Sequence, residues 1–477
     1  MMIETEQQGL WIGGVRVAAG DGASFAVRNP ATGEVIAEVA RAGAAETRAA
    51  IDAAAAAQAG WAALSGNERA KLLTRAYERV KRNIADLARL LSAEQGKPLR
   101  ESEKEVVSTG AFIRFYAEEA RRIYGDVIPS PDTQKRVFVL RQPVGVVGVL
   151  TPFNFPVGMF GRKVPAALAA GCAVVCKPAE ETSLTTLALA ELFADAGLPA
   201  GTLNVVCGDA PAIATALIED ARVRVVSFTG SVAVGQALAE QGGHALKRMI
   251  LELGGVAPYV VCADADLPRA VNGLIVAKFR NAGQVCAAPQ RVFVHKEVAS
   301  AFREALVEAT RHLRLGPGLD ETSDVGPLIN ERAVQKVQEL IDEALGQGAR
   351  ILCGGQRQRG LFYEPTVLDA VPETARLAQE EAFGPVIALS EFTDEQAVIA
   401  EVNRSPYGLG AYVFTRDIAR AFQLAEGIEA GIVGVNDPLP ATVEGPFGGV
   451  KRSGQGLEGG RYGVSEFLTT KQVSLRL

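Results

Sequence analysis

Histidine is scarce in this sequence, which contains three among 477 residues, and none lies near a cysteine or a second histidine at the spacing of a zinc site. The six cysteines are scattered along the chain. Zinc sites and histidine-dependent triads need clusters of these residues, and disulfide scaffolds need a higher density of cysteine. We therefore expect no metal site, no histidine-based triad and no disulfide framework.

The sequence also lacks a long apolar run and a strong excess of one charge. No stretch approaches the about 20 apolar residues that span a bilayer, and residues 1–9 (MMIETEQQG) lack the basic and apolar character of a targeting peptide. Lys and Arg total 49 against 55 Asp and Glu, whereas binding to nucleic acid depends on clustered positive charge. We expect a cytoplasmic protein that partners neither membrane nor nucleic acid.

Hydrophobic residues make up 48% of the chain, and its length suits two to three domains of about 150 residues each. Residues 144–150 (VGVVGVL) predict a strand buried on both faces. Further strands at 173–176, 203–206 and 223–228 alternate with helical segments, which is typical of a parallel, doubly wound α/β sheet. The alternation restarts after Gly254 and predicts a second α/β domain.

Three loops follow the carboxyl ends of the predicted parallel strands, at 151–154, 177–180 and 229–231. Ligands of such sheets bind beyond these ends, so the loops should converge on one crevice. A lysine and a glutamate in the second loop can hold ribose hydroxyls, and the third loop opens a helix whose N-terminus attracts a pyrophosphate. By contrast, the G-x-G-x-x-G match at 454–459 leaves no room for the βαβ unit of that fingerprint and predicts a plain turn.

Four segments carry candidate catalytic residues, each with a plainer interpretation. Cys286, in FRNAGQVC, is a nucleophile if it ionises, or else a buried structural cysteine. Glu252, at the end of the LELGG strand, is a general base, or else a helix cap or a surface salt bridge. Asn154, in TPFNFP, can stabilise an oxyanion, or is an ordinary turn asparagine. Glu381, in EEAFGP, indicates little alone.

In this order, from the FNFP loop at 153–156 to the PFGG segment at 446–449, these segments resemble the NAD(P)-dependent aldehyde dehydrogenase superfamily over essentially the whole chain. The resemblance implies an α/β fold with a Rossmann-like parallel-sheet cofactor domain, a second α/β catalytic domain and a small β oligomerisation arm, assembled as a homodimer or homotetramer. Its parts correspond to an NAD-binding domain at 1–122 and 144–252, a catalytic domain at 253–440, and an arm at 123–143 and 455–477, whose polar first segment can pair with 464–477.

The resemblance also implies roles for individual residues. The family's nucleophile matches Cys286, its general base Glu252 and its oxyanion-hole amide Asn154. Its cofactor contacts match Thr151, Phe153, Asn154, Lys177, Glu180, Gly230, Ser231, Leu253, Glu381 and Phe383. Because the Glu180 carboxylate would repel a 2′-phosphate, we expect NAD to be preferred over NADP.

Within the superfamily the chain is most similar to succinate-semialdehyde dehydrogenases, through Arg162-Lys163, the Val-Ala-Pro that follows LELGG, and the KFRN segment at 278–281. That resemblance implies that Arg162 and Arg280 bind the remote carboxylate of the substrate, helped by Thr442. The alternative is that one or both arginines pair with an internal carboxylate.

The chain departs from the subfamily at two positions, with Ala288 where a second cysteine is usual and Phe153 where tryptophan is usual. Glutarate semialdehyde, 2-oxoglutarate semialdehyde and an aromatic aldehyde therefore stay open as substrates. Glu252 argues against a CoA-acylating enzyme, which generally lacks that base. The presence of Cys286, Glu252 and Asn154 together argues against a non-enzymatic scaffold.

Overall fold

The structure, a computed structural model, describes residues 8–477. Residues 1–7 lie outside the described residues. They include the start of the predicted cofactor domain and most of the segment for which no targeting peptide is predicted. The elements up to the end of the first large sheet's parallel core are β1 (Leu10–Ile12), β2 (Val15–Val17), β3 (Ser24–Arg28), β4 (Val35–Ala40), α1 (Ala44–Ala63), α2 (Gly66–Arg82), α3 (Ile84–Gln95), α4 (Leu99–Glu119), β5 (Asp126–Ile128), β6 (Lys135–Pro143), β7 (Val146–Leu150), α5 (Pro156–Ala170), β8 (Ala173–Lys177), α6 (Ser183–Asp195), β9 (Leu203–Val205), α7 (Ala210–Glu219), β10 (Val223–Gly230), α8 (Val232–His244) and β11 (Arg248–Leu253).

The remaining elements are β12 (Ala257–Val261), α9 (Leu267–Phe279), β13 (Pro289–His295), α10 (Ala299–Arg311), α11 (Glu331–Gly346), β14 (Arg350–Cys353), β15 (Thr366–Asp369), α12 (Arg376–Gln379), β16 (Val386–Phe392), α13 (Glu395–Asn403), β17 (Tyr407–Gly408), β18 (Gly410–Phe414), α14 (Ile418–Gly427), β19 (Ile432–Val435), β20 (Val450–Lys451), β21 (Gly454–Gln455), α15 (Gly460–Ser465) and β22 (Leu468–Arg476). Short 3₁₀ turns cover Glu180–Thr182 and Arg280–Gly283. Among the helices of residues 8–477, none is both long and apolar enough to cross a bilayer.

The first large sheet has the strand order β2-β1-β9-β8-β7-β10-β11-β21, and β9, β8, β7, β10 and β11 are parallel. The chain runs outward from β7 through β8 and β9, then returns to the other side of β7 for β10 and β11. Every residue of β7 and β8 is buried, as the continuous apolar run at 144–150 predicted for β7. The strand order therefore reverses between β7 and β10, where a ligand crevice of a doubly wound sheet lies.

Helix α5 positions the loop that follows β7. It begins with Pro156, whose fixed φ suits the first helical turn, and it ends at Gly171 in a left-handed conformation (φ +96°). Helix α1 holds that C-terminal end: the Trp61 indole N–H donates to Leu168 O (3.1 Å), and the Gln58 amide donates to Gly171 O (2.9 Å). The N-terminal turn of α5 is thereby fixed above the crevice.

The second large sheet has the order β14-β15-β16-β13-β12-β18-β19. Its neighbouring strands are parallel except for the antiparallel pair of β14 and β15. Its centre is aromatic, with the ring of Tyr259 stacked 4.8 Å from that of Phe414. This is the second α/β unit that the restart of the alternation predicted.

The predicted arm is a three-stranded antiparallel sheet, in which β6 pairs with both β5 and β22. Its C-terminal strand begins at Leu468, later than the predicted start at 455. Residues 454–455 instead pair with β11 at the edge of the first sheet. A Cβ at Gly454 would lie 1.9 Å from Leu251 O, so this close approach requires a glycine, and a sequence pattern of apolar residues does not register it.

Candidate active site

The three strand-end loops meet at the carboxyl edge of the first sheet. Thr151 N donates to Lys177 O (3.0 Å), and the Lys177 ammonium pairs with Glu180 Oε2 (2.8 Å). The Ser231 hydroxyl accepts a hydrogen bond from Val234 N and caps α8 (3.4 Å). The buried hydroxyls of Thr151 and Thr229 have no hydrogen-bond partner among the described residues. The crevice thus offers unused donors and acceptors next to a helix N-terminus, which suits a phosphate- and ribose-bearing ligand.

A second group of residues reaches the crevice from the second domain. Glu381 Oε1 accepts from Gly255 N (3.3 Å), and a Cβ at Gly254 would lie 2.2 Å from Glu381 Oε2, so the Glu381 carboxylate packs closely against this backbone. Burial raises the pKa of Glu381 to about 7. The rings of Phe153 and Phe383 meet edge to face across the two domains, with centroids 5.8 Å apart.

Leu253 and Gly230 close the floor of the crevice at the ends of β11 and β10. Leu253 packs against α8, where a Cβ at Gly235 would lie 2.4 Å from its Cδ2. A Cβ at Gly230 would meet the ring of Phe228 at 2.3 Å. Both glycines therefore permit close packing, and the structure brings these two predicted cofactor residues to the same edge of the sheet as the three loops.

The loop that carries Cys286 leaves α9 through three successive left-handed residues, Asn281, Ala282 and Gly283 (φ +50°, +54° and +75°). Such a turn is strained for non-glycine residues. It is held by Glu101 on α4, whose Oε2 accepts from Asn281 N (2.8 Å). A Cβ at Gly283 would lie 2.2 Å from Gly384 O, so that position also requires glycine.

Asn154 lies against this loop. Its side-chain Nδ2 donates to Gln284 O (2.9 Å), two residues before Cys286, and the residue is buried. An amide nitrogen carries two hydrogens, so a second one is left for a ligand. The structure therefore brings the predicted oxyanion donor and the predicted nucleophile together.

Glu252 is buried at the end of β11, and neither of its carboxylate oxygens has a hydrogen-bond partner among residues 8–477. Burial raises its pKa well above the usual range, as does the neighbouring Glu458, while Lys163 and Arg162 oppose the shift. The alternatives of a helix cap and a surface salt bridge are both wrong. A buried carboxylate with an elevated pKa is a competent proton acceptor.

Cys286 is half-buried in the wall of a cavity of about 420 Å³. Burial raises the pKa of its thiol to about 12, and the Glu381 carboxylate adds to this, whereas Arg162 and Arg280 oppose it. The thiol is therefore neutral at neutral pH in this state, and its attack on a substrate requires loss of that proton.

Arg162 and Arg280 line the same cavity. The Arg162 guanidinium lies 4.2 Å from the ring of Phe447, and the Arg280 guanidinium lies 5.7 Å from that of Phe155. Within residues 8–477 neither arginine forms an ion pair or a hydrogen bond, and Arg162 Nη1 and Arg280 Nε are buried without a partner. The alternative in which they pair with internal carboxylates is therefore not what the structure shows.

Thr442 does not line this cavity. The C-terminal loop contributes Leu439, Pro440 and Ala441 to the lining, while Thr442 is exposed and its hydroxyl accepts from Gly445 N (3.2 Å). Among the described residues no group of three or more histidine, cysteine, aspartate or glutamate side chains could hold a metal ion.

The sequence did not indicate two buried ion pairs beside the site. Lys163 pairs with Glu458 and donates to Ser227 Oγ (2.9 Å) behind Glu252, and Lys97 pairs with Glu105 (2.6 Å) behind Asn154. Charged residues on helices are usually solvated, so their sequence pattern gives no signal of burial. The only hint in the sequence that Lys163 lies beside the site is its position directly after Arg162, a predicted substrate-binding residue.

Residues 17–473 match the sequence model of the aldehyde dehydrogenase family. The chain is 46% identical to glutarate-semialdehyde dehydrogenase of Pseudomonas putida over 98% of each chain. It is also 46% identical to the NADP(+) succinate-semialdehyde dehydrogenase GabD of Escherichia coli, over 99% of this chain and 98% of that one. The crystal structure of an E. coli NADP-dependent enzyme superposes with a TM-score of 0.98 at 46% identity, covering 99% of this chain and 98% of that one.

Proposed function

The chain belongs to the aldehyde dehydrogenase family, and from that premise we propose that it oxidises a short aldehyde with a remote carboxylate, such as succinate semialdehyde, to the acid. The observation that carries this proposal is the pair of guanidinium groups, Arg162 and Arg280, that share a cavity with Cys286 and form no ion pair or hydrogen bond within residues 8–477. Half-buried guanidinium nitrogens without a hydrogen-bond partner are costly, and a carboxylate ligand would offset that cost through bidentate hydrogen bonds. An uncharged aromatic aldehyde would leave both unpaired.

The protein residues divide the reaction between the two domains. Cys286 Sγ bonds to the aldehyde carbon as the thiolate, once its proton has been released to solvent. The resulting oxyanion is held by the Asn154 amide and the Cys286 backbone N–H; each such donor contributes about 10²–10³ in rate. Glu252 then takes a proton from the water that hydrolyses the Cys286 thioester.

The residues of the crevice fit a nicotinamide dinucleotide, since the buried hydroxyls of Thr151 and Thr229 have no partner there among the described residues. Lys177 and Glu180 would hold a ribose, the N-terminus of α8 the pyrophosphate, and Glu381 the second ribose, with Phe153 and Phe383 against the ring. The chemistry that the bound cofactor supplies is acceptance of the hydride.

We further propose that NAD is used in preference to NADP, because a 2′-phosphate would lie against the Glu180 carboxylate. Two observations weigh against this preference: Glu180 is paired with Lys177, and the E. coli relative is designated an NADP(+) enzyme. The preference must therefore be measured. A ratio of kcat/KM for NAD over NADP well above one supports the proposal, and a ratio of one or less contradicts it.

The substrate proposal is tested by steady-state kinetics on succinate semialdehyde, glutarate semialdehyde, benzaldehyde and butanal. We expect kcat/KM to be highest for the two carboxylate-bearing aldehydes, and activity to vanish in the Cys286→Ala control. Higher efficiency with butanal or benzaldehyde would contradict it. We also propose that the three-stranded arm joins subunits into a homodimer or homotetramer.

A further inference from the structure

Lys97 is a lysine with no exposed side-chain surface, in the turn between α3 and α4. Its ammonium donates to Glu105 Oε2 (2.6 Å) and to the backbone oxygen of Asn154 (2.5 Å). The same ammonium lies 4.0 Å from the centroid of the Phe155 ring, on the residue after Asn154. All three contacts of this buried cation are therefore directed at the start of α5 or at its own counter-ion on α4.

Glu105 extends the contact to a second point of the same segment. Its other oxygen, Oε1, accepts from Gly158 N (2.9 Å) in the first turn of α5. The Lys97–Glu105 pair therefore binds the start of α5 at two points, the carbonyl of Asn154 and the backbone N–H of Gly158.

The carbonyl that Lys97 contacts is also tied to the nucleophile's loop. Asn281 Nδ2 donates to Asn154 O (3.0 Å), while Asn154 Nδ2 donates to Gln284 O (2.9 Å). The backbone and the side chain of Asn154 are therefore each fixed to the loop that leads to Cys286. A shift of the Asn154 peptide would move the amide away from the point where an oxyanion forms.

We propose that Lys97, with Glu105 as its counter-ion, is a positioning residue that fixes the Asn154 amide in the oxyanion-binding orientation. The inference rests on the proposed dehydrogenase function. Lys97 itself does not line the substrate cavity, so its effect should reside in kcat rather than in binding. Errors of about 1 Å in such positioning cost on the order of 10²-fold in rate.

The test is a double-mutant cycle between the ion pair and Asn154. Lys97→Met alone would leave Glu105 as a buried, unpaired carboxylate and could prevent folding. The variant is therefore Lys97→Met combined with Glu105→Gln, which removes both charges and keeps an oxygen for Gly158 N. It is compared with Asn154→Ala and with the triple variant, by the rate constant of the first-turnover burst of NADH and by steady-state kcat and KM.

We expect the paired variant to lower the burst rate constant about tenfold or more while KM for the aldehyde and the affinity for cofactor change less than about threefold. In the triple variant, Asn154→Ala should then cost clearly less than in the wild type, because both changes remove one function. Additive losses would overturn the inference, as would a paired variant with wild-type burst kinetics.

Lys247→Met is the control, since Lys247, like Lys97, donates to the backbone: its acceptors are Asp220 O and Val223 O (2.6 Å each), at the opposite end of β10. It should lower thermal stability without changing the burst. A wild-type protein inactive on every aldehyde would defeat the proposed function instead. If the wild type is active but Asn154→Ala has no effect, the inference fails and the dehydrogenase function stands.

Discussion

The residues around Cys286 shift the pKa of its thiol in opposite directions. Burial and the Glu381 carboxylate raise its pKa, whereas the guanidinium groups of Arg162 and Arg280 lower it. The same two cations that favour the thiolate are those that would be neutralised by a substrate carboxylate. In the proposed mechanism, substrate binding and ionisation of the Cys286 thiol are therefore coupled through two residues that form no ion pair or hydrogen bond in residues 8–477.

Replacing Arg280 by alanine should raise KM for succinate semialdehyde about tenfold or more, since a charged hydrogen bond contributes about 1.5–3 kcal/mol. The KM for butanal, which lacks a carboxylate, should scarcely change. Both are measured by steady-state NADH formation. Equal losses on the two aldehydes would show that Arg280 supports the loop rather than the substrate.

Replacing Glu252 by glutamine should leave a pre-steady-state burst of NADH and lower the steady rate, because hydrolysis needs the base and hydride transfer does not. In the wild type the steady rate should rise with pH through the raised pKa of Glu252, since only the deprotonated carboxylate accepts a proton. The variant should lose that rise. A steady rate equal to that of the wild type would assign the base elsewhere.

A buried carboxylate joins the end of α3 to the start of α6. The Glu94 carboxylate in the last turn of α3 is fully buried and accepts from Leu184 N (2.8 Å) and Thr185 N (3.0 Å) at the start of α6, and also from the Thr185 hydroxyl. The donors favour the charged form, but burial outweighs them and raises the pKa of Glu94 to about 7. This junction is therefore sensitive to pH.

Because the pKa of Glu94 is higher in the folded state than its ordinary value of 4.5, the folded protein binds more protons, and stability falls as pH rises from about 4.5 to 7. The full span corresponds to about 3 kcal/mol. The stability advantage of the wild type over Glu94→Gln should shrink across this window, measured by urea midpoints. Parallel pH profiles would contradict the assignment.

Glu68→Gln is the matched control for that experiment. Glu68 accepts from Ser65 N (2.8 Å) in the capping box of α2, and hydrogen bonds to Ser65 lower its pKa. Its contribution is present above its ordinary pKa and is lost as pH falls, the opposite direction to Glu94.

The elements that could be predicted from the sequence are those determined by a local pattern of residues. The buried strands β7 and β8 are continuous apolar runs, and the loops after them had to meet because the strands are parallel. It did not predict the buried charges of Lys97, Lys163 and Glu94, since charge is a signal of exposure unless the partner is known. It also assigned Thr442 to the substrate site by resemblance, whereas the turn with Gly445 leaves that side chain exposed.

At the scale of the whole molecule, the three-stranded arm exposes apolar side chains to solvent. Val127, Leu140, Val473 and Leu475 are exposed to at least 39%, and β22 is an edge strand whose residues after Leu468 are all exposed. An exposed, nine-residue edge of this kind is a ready surface for pairing with another chain. This supports the proposed assembly of subunits through the arm.

Replacing Val473 and Leu475 together by lysine should therefore shift the protein to monomers in sedimentation or light-scattering measurements. Val15→Lys, on the edge strand β2 of the first sheet and 61% exposed, is the control. A wild-type protein that is already monomeric, or a double variant with unchanged mass, would contradict the role of the arm.

The pairing of β21 with β11 has a consequence for how the chain is made. Residues Leu251 and Glu252 acquire their antiparallel neighbours, Gln455 and Gly454, only after about 200 further residues have been synthesised. At about 5–20 residues per second, the ribosome needs about 10–40 s for that interval. During translation β11, which carries Glu252, therefore waits with one edge open while the second large sheet emerges. A stop codon before residue 454 would leave that edge permanently unpaired.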